Sequence, residues 1–503
     1  MKIIQIIGDF LFVIGGTFFA RGLIGFLRVN AAIIKQKAVL TVFFCLPMAS
    51  ILGGTLFFFN RQMNQAYAAD IKIALSVLAA VIFADMVLNS LARDFFQPLS
   101  LSSETCIFLI AGIVTVLVTD LLGLLLKTNS YLSFILPAAI SFAMIIGITW
   151  AKTQGYEKFS NISGEPLFLF KNGEEDYKTF RIPSLIVLDR EVLNAKYGYS
   201  FQNDILLATA EARRNSSKDT GEIDLVGKLS SDRGNSWTDL TVFFTDEETA
   251  CKFGNPTPVF DKVNGVINFV LKGDINGSEN VQGTLNEDLS ITWGEHIPLK
   301  RIPAKNSSSE NSANVTPGPG KSIQLSSCRL VVPCNNGGES LALYSDDYGL
   351  TWKTGEPAAK GGECEAVELK SGELMLVSRE STDCSQYHPR QYQRLSYSND
   401  GGETWAVKGE ATSLKTPVCM SSLDKTSDGT VWFSYPDCFL TRANLSVAAS
   451  ADNGKHWEIT RLYPGPSGYS CLAADSDDKV YVLAEVGKVN YNEALVFLNI
   501  KQD

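Results

Sequence analysis

The sequence predicts an all-β propeller of six blades preceded by an α-helical transmembrane domain. Two observations carry this. A short motif recurs through the last three-fifths of the chain at steps of 52 to 59 residues, and the first 151 residues hold five apolar segments of about 20 residues each. A fixed period of about 50 residues marks a repeat architecture, and it suits a four-stranded blade. A segment of about 20 apolar residues suits a bilayer crossing.

The motif is S-x-D-x-G-x-x-W. It stands at Ser230–Trp237, Ser345–Trp352, Ser398–Trp405 and Ser450–Trp457, and a worn copy at Asn286–Trp293 has Ser in place of Gly. Each copy follows a β-prone run, such as LALY before Ser345. The residue types suit a hairpin turn. Ser and Asp bond the turn's own amides, Gly supplies a positive φ, and Trp anchors the departing strand. Five such turns account for five blades. The sixth is expected to form where the strand near Phe168 joins the carboxy-terminal strands Val480–Glu485 and Ala494–Asn499.

The apolar segments fall at about 3–25, 38–59, 71–92, 105–126 and 131–151. One cleaved leader would be a single short run, so five successive runs predict a multi-pass domain over 1–151. Residues 152–164 (KTQGYEKFSNISG) are polar and are expected to be a linker, with the propeller over 165–503.

Charge and composition exclude several functions. Residues 1–151 carry 9 of the 44 basic and 6 of the 54 acidic residues, leaving 35 basic and 48 acidic residues to the rest. A part this acidic does not suit nucleic acid, which wants a basic face. Only His296, His388 and His456 are present, which disfavours a His-rich metal site or a His-based triad, and no C-x-x-C pair points to zinc. No cofactor or metal is expected. Eight cysteines follow residue 250, and they suit either four disulfides or thiols buried as small apolar groups.

An ordered set of motifs runs through the β-rich part. Phe180-Arg181-Ile182-Pro183 comes first, then Glu211-Ala212-Arg213-Arg214 with Asp219 shortly after, then the repeated turns, which are Asp boxes. Asn255-Pro256-Thr257-Pro258, Gly362-Glu363-Cys364-Glu365 with Arg379 sixteen residues after Glu363, Arg442-Ala443-Asn444-Leu445, Gly468-Tyr469-Ser470 and Leu483-Ala484-Glu485 follow. In this order they resemble the exo-α-sialidases (neuraminidases), over about 340 residues from Phe168 to the end.

The resemblance implies hydrolysis of terminal α-linked sialic acid with retention, and it implies a role for each residue. Arg181, Arg379 and Arg442 would hold the substrate carboxylate, a task suited to a planar fork that never loses its charge. Tyr469 would be the nucleophile. A neutral phenol avoids the repulsion that a carboxylate would meet at a carbon already bearing one, and sialidases depart from the usual two-carboxylate scheme in this way. Glu363 would accept the phenol proton, and Asp219 would protonate the leaving oxygen and then activate water. Either Arg213 or Arg214 would contact a sugar hydroxyl, with Arg213 preferred. Glu485 would hold Arg181. The alternatives are a trans-sialidase and a propeller that binds sialic acid without cleaving it.

The expected partners are sialylated glycans and a lipid bilayer, with no nucleic acid; the oligomeric state stays open. The most basic loop, with Arg21, Arg28, Lys35 and Lys37, would lie in the cytoplasm and place the propeller on the same side. The tally is only 7 basic residues against 4. Sialylated substrates favour the opposite side, so an integral membrane protein with an extracytoplasmic propeller is expected.

Overall fold

The computed structural model describes residues 159–502 apart from 220, 246–252, 274–276, 300–314, 380–391, 439–441 and 489. They fall in the second of the two units into which the chain divides, Gly155–Asp503.

Twenty-five strands and one helix are described. The first four-stranded sheet contains β2 (Thr179–Leu188), β3 (Ile205–Arg213), β4 (Ile223–Ser230) and β5 (Thr241–Phe244). The second contains β6 (Gly254–Asp261), β7 (Val266–Lys272), β8 (Ser278–Leu285) and β9 (Ile291–Pro298). The third follows the path β10 (Thr316–Pro317), β12 (Leu330–Asn335), β13 (Glu339–Ser345), β14 (Lys353–Thr354), with β11 (Ile323–Gln324) and β15 (Ala359–Lys360) beside it. The fourth contains β16 (Cys364–Glu368), β17 (Leu374–Ser378), β18 (Tyr392–Ser398) and β19 (Ala406–Lys415).

These four give a propeller-like arrangement of four blades. The remaining strands form one seven-stranded sheet in the order β1 (Leu167–Lys171), β25 (Ala494–Asn499), β24 (Val480–Val486), β23 (Glu458–Ala474), β22 (Ala443–Ser450), β21 (Val431–Pro436), β20 (Ser422–Lys425). Six separate blades were expected, and the difference comes from β23. This 17-residue strand bonds β22 along its first half and β24 along its second, so it belongs to both halves of the sheet. The amino-terminal strand of this sheet joins the strands anticipated: β1 pairs with β25 through Phe168 and Val496.

The Asp boxes join third to fourth strands, and their geometry is local. In the first, Ser230 Oγ accepts from Gly234 N at 2.9 Å and Asp232 Oδ1 accepts from Ser236 N at 2.9 Å. Trp237 Nε1 donates to Gly234 O at 3.1 Å. Ser345, Asp347, Gly349 and Trp352 repeat the pattern within 0.1 Å. Gly234, Gly349, Gly402 and Gly454 all have φ between 82° and 91°, the left-handed region that glycine enters without strain. The worn copy closes differently: Ser290 N donates to Asp288 Oδ1 at 2.9 Å and Asn286 Nδ2 donates to Ser290 Oγ at 2.9 Å.

The α-helical transmembrane domain has no counterpart among the described residues. Their one helix, α1 (Arg190–Tyr197), has eight residues, is capped by Asp189 and ends at Gly198. No described helix is long and apolar enough to cross a membrane. The stretch 1–151, on which five spans were expected, lies outside the described residues, as does most of the expected linker. The described residues thus contradict the expected multi-pass membrane protein with its bilayer partner and extracytoplasmic propeller, since their one helix is too short to cross a bilayer.

The core is a series of apolar clusters between neighbouring sheets. One joins Phe180, Leu206, Leu483 and Phe497, so the first sheet packs on the last strands of the chain. Of the described cysteines, 328, 334, 364, 419 and 471 are free thiols, and four of these, all but Cys328, are buried. For those four, burial as thiols is the alternative that holds.

Candidate active site

The candidate residues sit where strands lose their regular pairing. The β2–β3 register breaks between Arg181 and Ser184, with Ile182 at φ 57°, a value that a β-branched residue rarely takes. The β23–β24 register breaks between Ser467 and Ser470, around Tyr469. Arg442 immediately precedes β22, whose pairing shifts beside Asn444 at φ 63°. A bulge bends its strand and re-aims a side chain out of the sheet's alternation. Glu363 and Arg379 flank the β16–β17 hairpin. Arg379 N donates to Glu363 O at 2.8 Å and Gly362 N to Arg379 O at 2.9 Å, so residues sixteen apart in sequence become one cross-strand pair.

Glu485 ties two of these bulges together. Its Oε1 accepts from Arg181 Nε at 2.8 Å and Ile182 N at 3.2 Å. Its Oε2 accepts from Arg181 Nη2 at 3.1 Å and Tyr469 N at 3.1 Å. Four donors saturate a carboxylate that is wholly removed from solvent. Burial opposes the charge on Arg181, but Glu485, together with Tyr491 and Tyr469, more than offsets it, and the guanidinium pKa is raised.

Around Tyr469 the remaining groups converge. Its hydroxyl donates to Glu363, with both carboxylate oxygens at 2.6 Å, and accepts from Arg379 Nη1 at 2.6 Å. The same Arg379 nitrogen bonds Glu363 Oε2. Burial pushes the phenol well above its usual pKa, and the Glu363 charge adds to this, while Arg379 and Arg442 pull the other way. The Arg181 and Arg442 guanidinium carbons lie 5.4 and 5.1 Å from the Tyr469 ring centroid. The three arginines and Tyr469 thus meet at one place.

Asp219 stands at the edge of this group, 82 % exposed. Its Oδ1 is 2.9 Å from Arg213 Nη2 and 3.8 Å from Arg181 Nη1. Arg213 is set further back. It is buried, and it also donates to Glu211 Oε2 from Nε and Nη2 and to Ser217 O from Nη1. Arg214 instead pairs with Asp224 at 2.6 Å and lies over the Tyr177 ring.

Two contributors carry no role in the sequence analysis. Glu211 supports Arg213 and accepts from Asn255 N at 2.9 Å. A signal for it existed, because residues two apart on a strand share a face. The second is Tyr491, 5.4 Å from the Arg181 guanidinium and 4.8 Å from that of Arg442. It lies in a turn, and nothing in its neighbours along the chain points to the site. Among the described residues, no group of His, Cys, Asp and Glu side chains suits a metal ion.

Comparison with known proteins bears on this geometry. A sialidase from Micromonospora viridifaciens is 25 % identical over 392 residues, covering 71 % of this chain and 58 % of that relative. Sialidase-3 from Mus musculus is 25 % identical over 410 residues, covering 65 % of this chain and 92 % of that one. Among solved structures, the Hadza microbial sialidase Hz136 matches with a TM-score of 0.55 at 23 % identity, over 67 % of this chain and 68 % of that one. Trypanosoma rangeli sialidase in complex with sialic acid matches with a TM-score of 0.52 at 20 % identity, over 67 % and 59 %. These structural likenesses are likenesses of fold. The family model for the BNR repeat-like domain matches residues 204–482, more than half of the sequence. With that match and its sialidase homologues, this chain belongs to the BNR repeat-like domain family.

Proposed function

We propose that this protein is an exo-α-sialidase that releases terminal α-linked sialic acid with retention through a tyrosyl intermediate. The observation that supports this best is the Tyr469 hydroxyl held 2.6 Å from both carboxylate oxygens of Glu363, with three guanidinium groups around it. The sialidase relatives, and the sialic acid bound by the Trypanosoma rangeli enzyme, support the substrate class.

The substrate carboxylate enters among Arg181, Arg379 and Arg442 and balances the one positive charge they carry beyond Glu485 and Glu363. The raised phenol pKa keeps Tyr469 protonated at working pH, so it does not repel the incoming anion. As the Tyr469 oxygen bonds the anomeric carbon, its proton passes to Glu363 and the glycosidic bond breaks. The electron pair of that bond goes to the leaving oxygen, which takes a proton from Asp219. The leaving group departs, and Asp219, open to solvent, removes a proton from an incoming water. That water displaces the Tyr469 oxygen, which recovers its proton from Glu363, and two inversions give net retention. Arg213 orients Asp219 from behind, and Glu485 fixes Arg181 and the Tyr469 backbone.

The test is release of 4-methylumbelliferone from its sialoside by the full-length protein, wild type against Tyr469→Phe and Asp219→Ala. The expected outcome is turnover by wild type and a loss of several orders of magnitude in Tyr469→Phe. Equal rates in those two would remove Tyr469 from its role.

A further inference from the structure

Arg181 and Arg442 are like charges brought to one place, and the Arg181 charge opposes the proton on Arg442, although the pKa of Arg442 is raised overall. Arg181 has Glu485 to balance it. Arg442 has no carboxylate within ion-pair distance among the described residues; its Nη2 donates to Val418 O at 3.0 Å. What the two guanidiniums share is a pair of aromatic faces. Both lie within 5.4 Å of the ring centroids of Tyr469 and Tyr491. Tyr469 has a further task in the proposed chemistry, and Tyr491 has none.

The surroundings of Tyr491 keep its ring in place. It is 8 % exposed and lies in the turn between β24 and β25. Glu493 closes that turn, accepting from Lys488 N at 2.9 Å and Asn490 N at 2.6 Å. The Asn172 side chain donates to Asn492 O at 2.8 Å while accepting from Phe180 N at 3.0 Å. One side chain therefore links the neighbour of Tyr491 to the neighbour of Arg181. On the other side, a Cβ at Gly468 would stand 2.6 Å from Tyr491 Cδ2 and 2.3 Å from Glu485 Oε2. The residue before Tyr469 must be glycine for the ring and the carboxylate to approach together.

We infer that Tyr491 is a positioning residue of the anion site: its ring face holds the Arg181–Arg442 pair in the orientation that receives a ligand carboxylate. A ring is suited to this because its negative face attracts both cations without neutralising either, leaving their charge for the ligand. The inference rests on the sialidase reading only in taking the ligand to be a sialic acid. The full-length protein, wild type and with Tyr491→Phe and Tyr491→Leu, is to be compared in two measurements. These are steady-state hydrolysis of the 4-methylumbelliferyl sialoside and calorimetric binding of free N-acetylneuraminic acid. Tyr491→Phe keeps the face and is expected to leave KM and Kd within about twofold, while Tyr491→Leu raises both about tenfold or more and changes kcat less than about threefold. Should Tyr491→Leu fail to fold, a ring-fluorinated phenylalanine at 491 keeps the shape and weakens the face, and the same rise in Kd is expected. An unchanged Kd in the Leu or fluorinated variant, or a Phe variant as impaired as Leu, would overturn the inference. Wild type that binds the free acid without hydrolysing the sialoside would sink the hydrolase reading alone, and the Kd series would then decide this one. Wild type that binds no sialic acid would overturn both.

Discussion

The Glu363 carboxylate meets the Tyr469 hydroxyl through both of its oxygens, each 2.6 Å away. Either oxygen can take the phenol proton without a rotation of the side chain. Arg379 bonds both partners through one nitrogen, so the oxygen left negative after transfer already has a cationic donor. Glu363→Gln keeps the volume and removes the base. The expected outcome is a fall in kcat on the order of 10²–10⁴-fold, with KM changed far less, because the lost interaction matters only as the proton moves. Steady-state kinetics on the sialoside check it, and an unchanged kcat would exclude Glu363 as the base.

Glu485 has a different kind of importance. It receives Arg181 and the backbones of two bulges in a place that water does not reach. Glu485→Ala leaves the buried Arg181 guanidinium without its partner and frees two backbone N–H groups. Removing one member of a buried pair costs about 3–5 kcal/mol, so a clear drop in thermal midpoint is expected together with a weakened anion site. Glu485→Gln restores part of the hydrogen bonding but not the charge, so its midpoint should fall between the two. Thermal melts of the three proteins check the order, and a melt of Glu485→Ala equal to wild type would show that Arg181 does not depend on this carboxylate.

The parts of this architecture that were legible in the sequence are those set by near neighbours. An Asp box is a closed circuit of bonds within eight residues, so Ser230, Asp232, Gly234 and Trp237 announce their turn wherever they occur. The Arg181, Glu363, Arg379, Arg442 and Tyr469 positions were legible through the order of their motifs, not through any property of each residue alone. The merging of two halves into one seven-stranded sheet was not legible. It depends on β23 continuing through Pro464, Gly465, Pro466 and Gly468, a run that reads as a turn in sequence. Register shifts absorb those residues instead, and they carry Tyr469 to the site. Tyr491 was hidden because its partners arrive from β2 and the start of β22, hundreds and tens of residues away.

The first Asp box also makes a long-range contact. Its Gly234 has φ 84°, and a Cβ there would stand 2.2 Å from a ring carbon of Phe497 in β25. Trp237 packs edge-on against the same ring, with centroids 5.0 Å apart. Gly234→Ala therefore meets both backbone strain and overpacking, and a loss of about 1–3 kcal/mol is expected. The site lies on other elements, so kcat and KM of the folded variant should match wild type. Denaturant titration and steady-state kinetics check the two halves of the statement, and a stability equal to wild type would show that the turn relaxes freely away from Phe497.

Two residues along β16 from the proposed base, Glu365 is wholly buried, accepting from Lys321 N at 3.1 Å and from Leu423 N. Burial raises its carboxyl to about 7, although Lys321, Ser422 and the two backbone donors act in the opposite sense. A carboxyl whose folded pKa lies above its ordinary 4.5 keeps its proton in the folded chain after the unfolded chain has released it. Stability is then highest below about pH 4.5 and falls as pH rises through about 7, where both forms are ionised and the burial penalty is complete. The whole effect is on the order of 3–4 kcal/mol, since each unit is worth about 1.4. Glu365→Gln lacks this titration. A constant offset from the lost acceptor is expected, and on top of it the variant should gain on wild type steadily between pH 4.5 and 7. Denaturant titrations at pH 4.5, 6 and 8 on both proteins measure that difference; a gap that stays constant across the three would mean that Glu365 is ionised in the folded chain throughout.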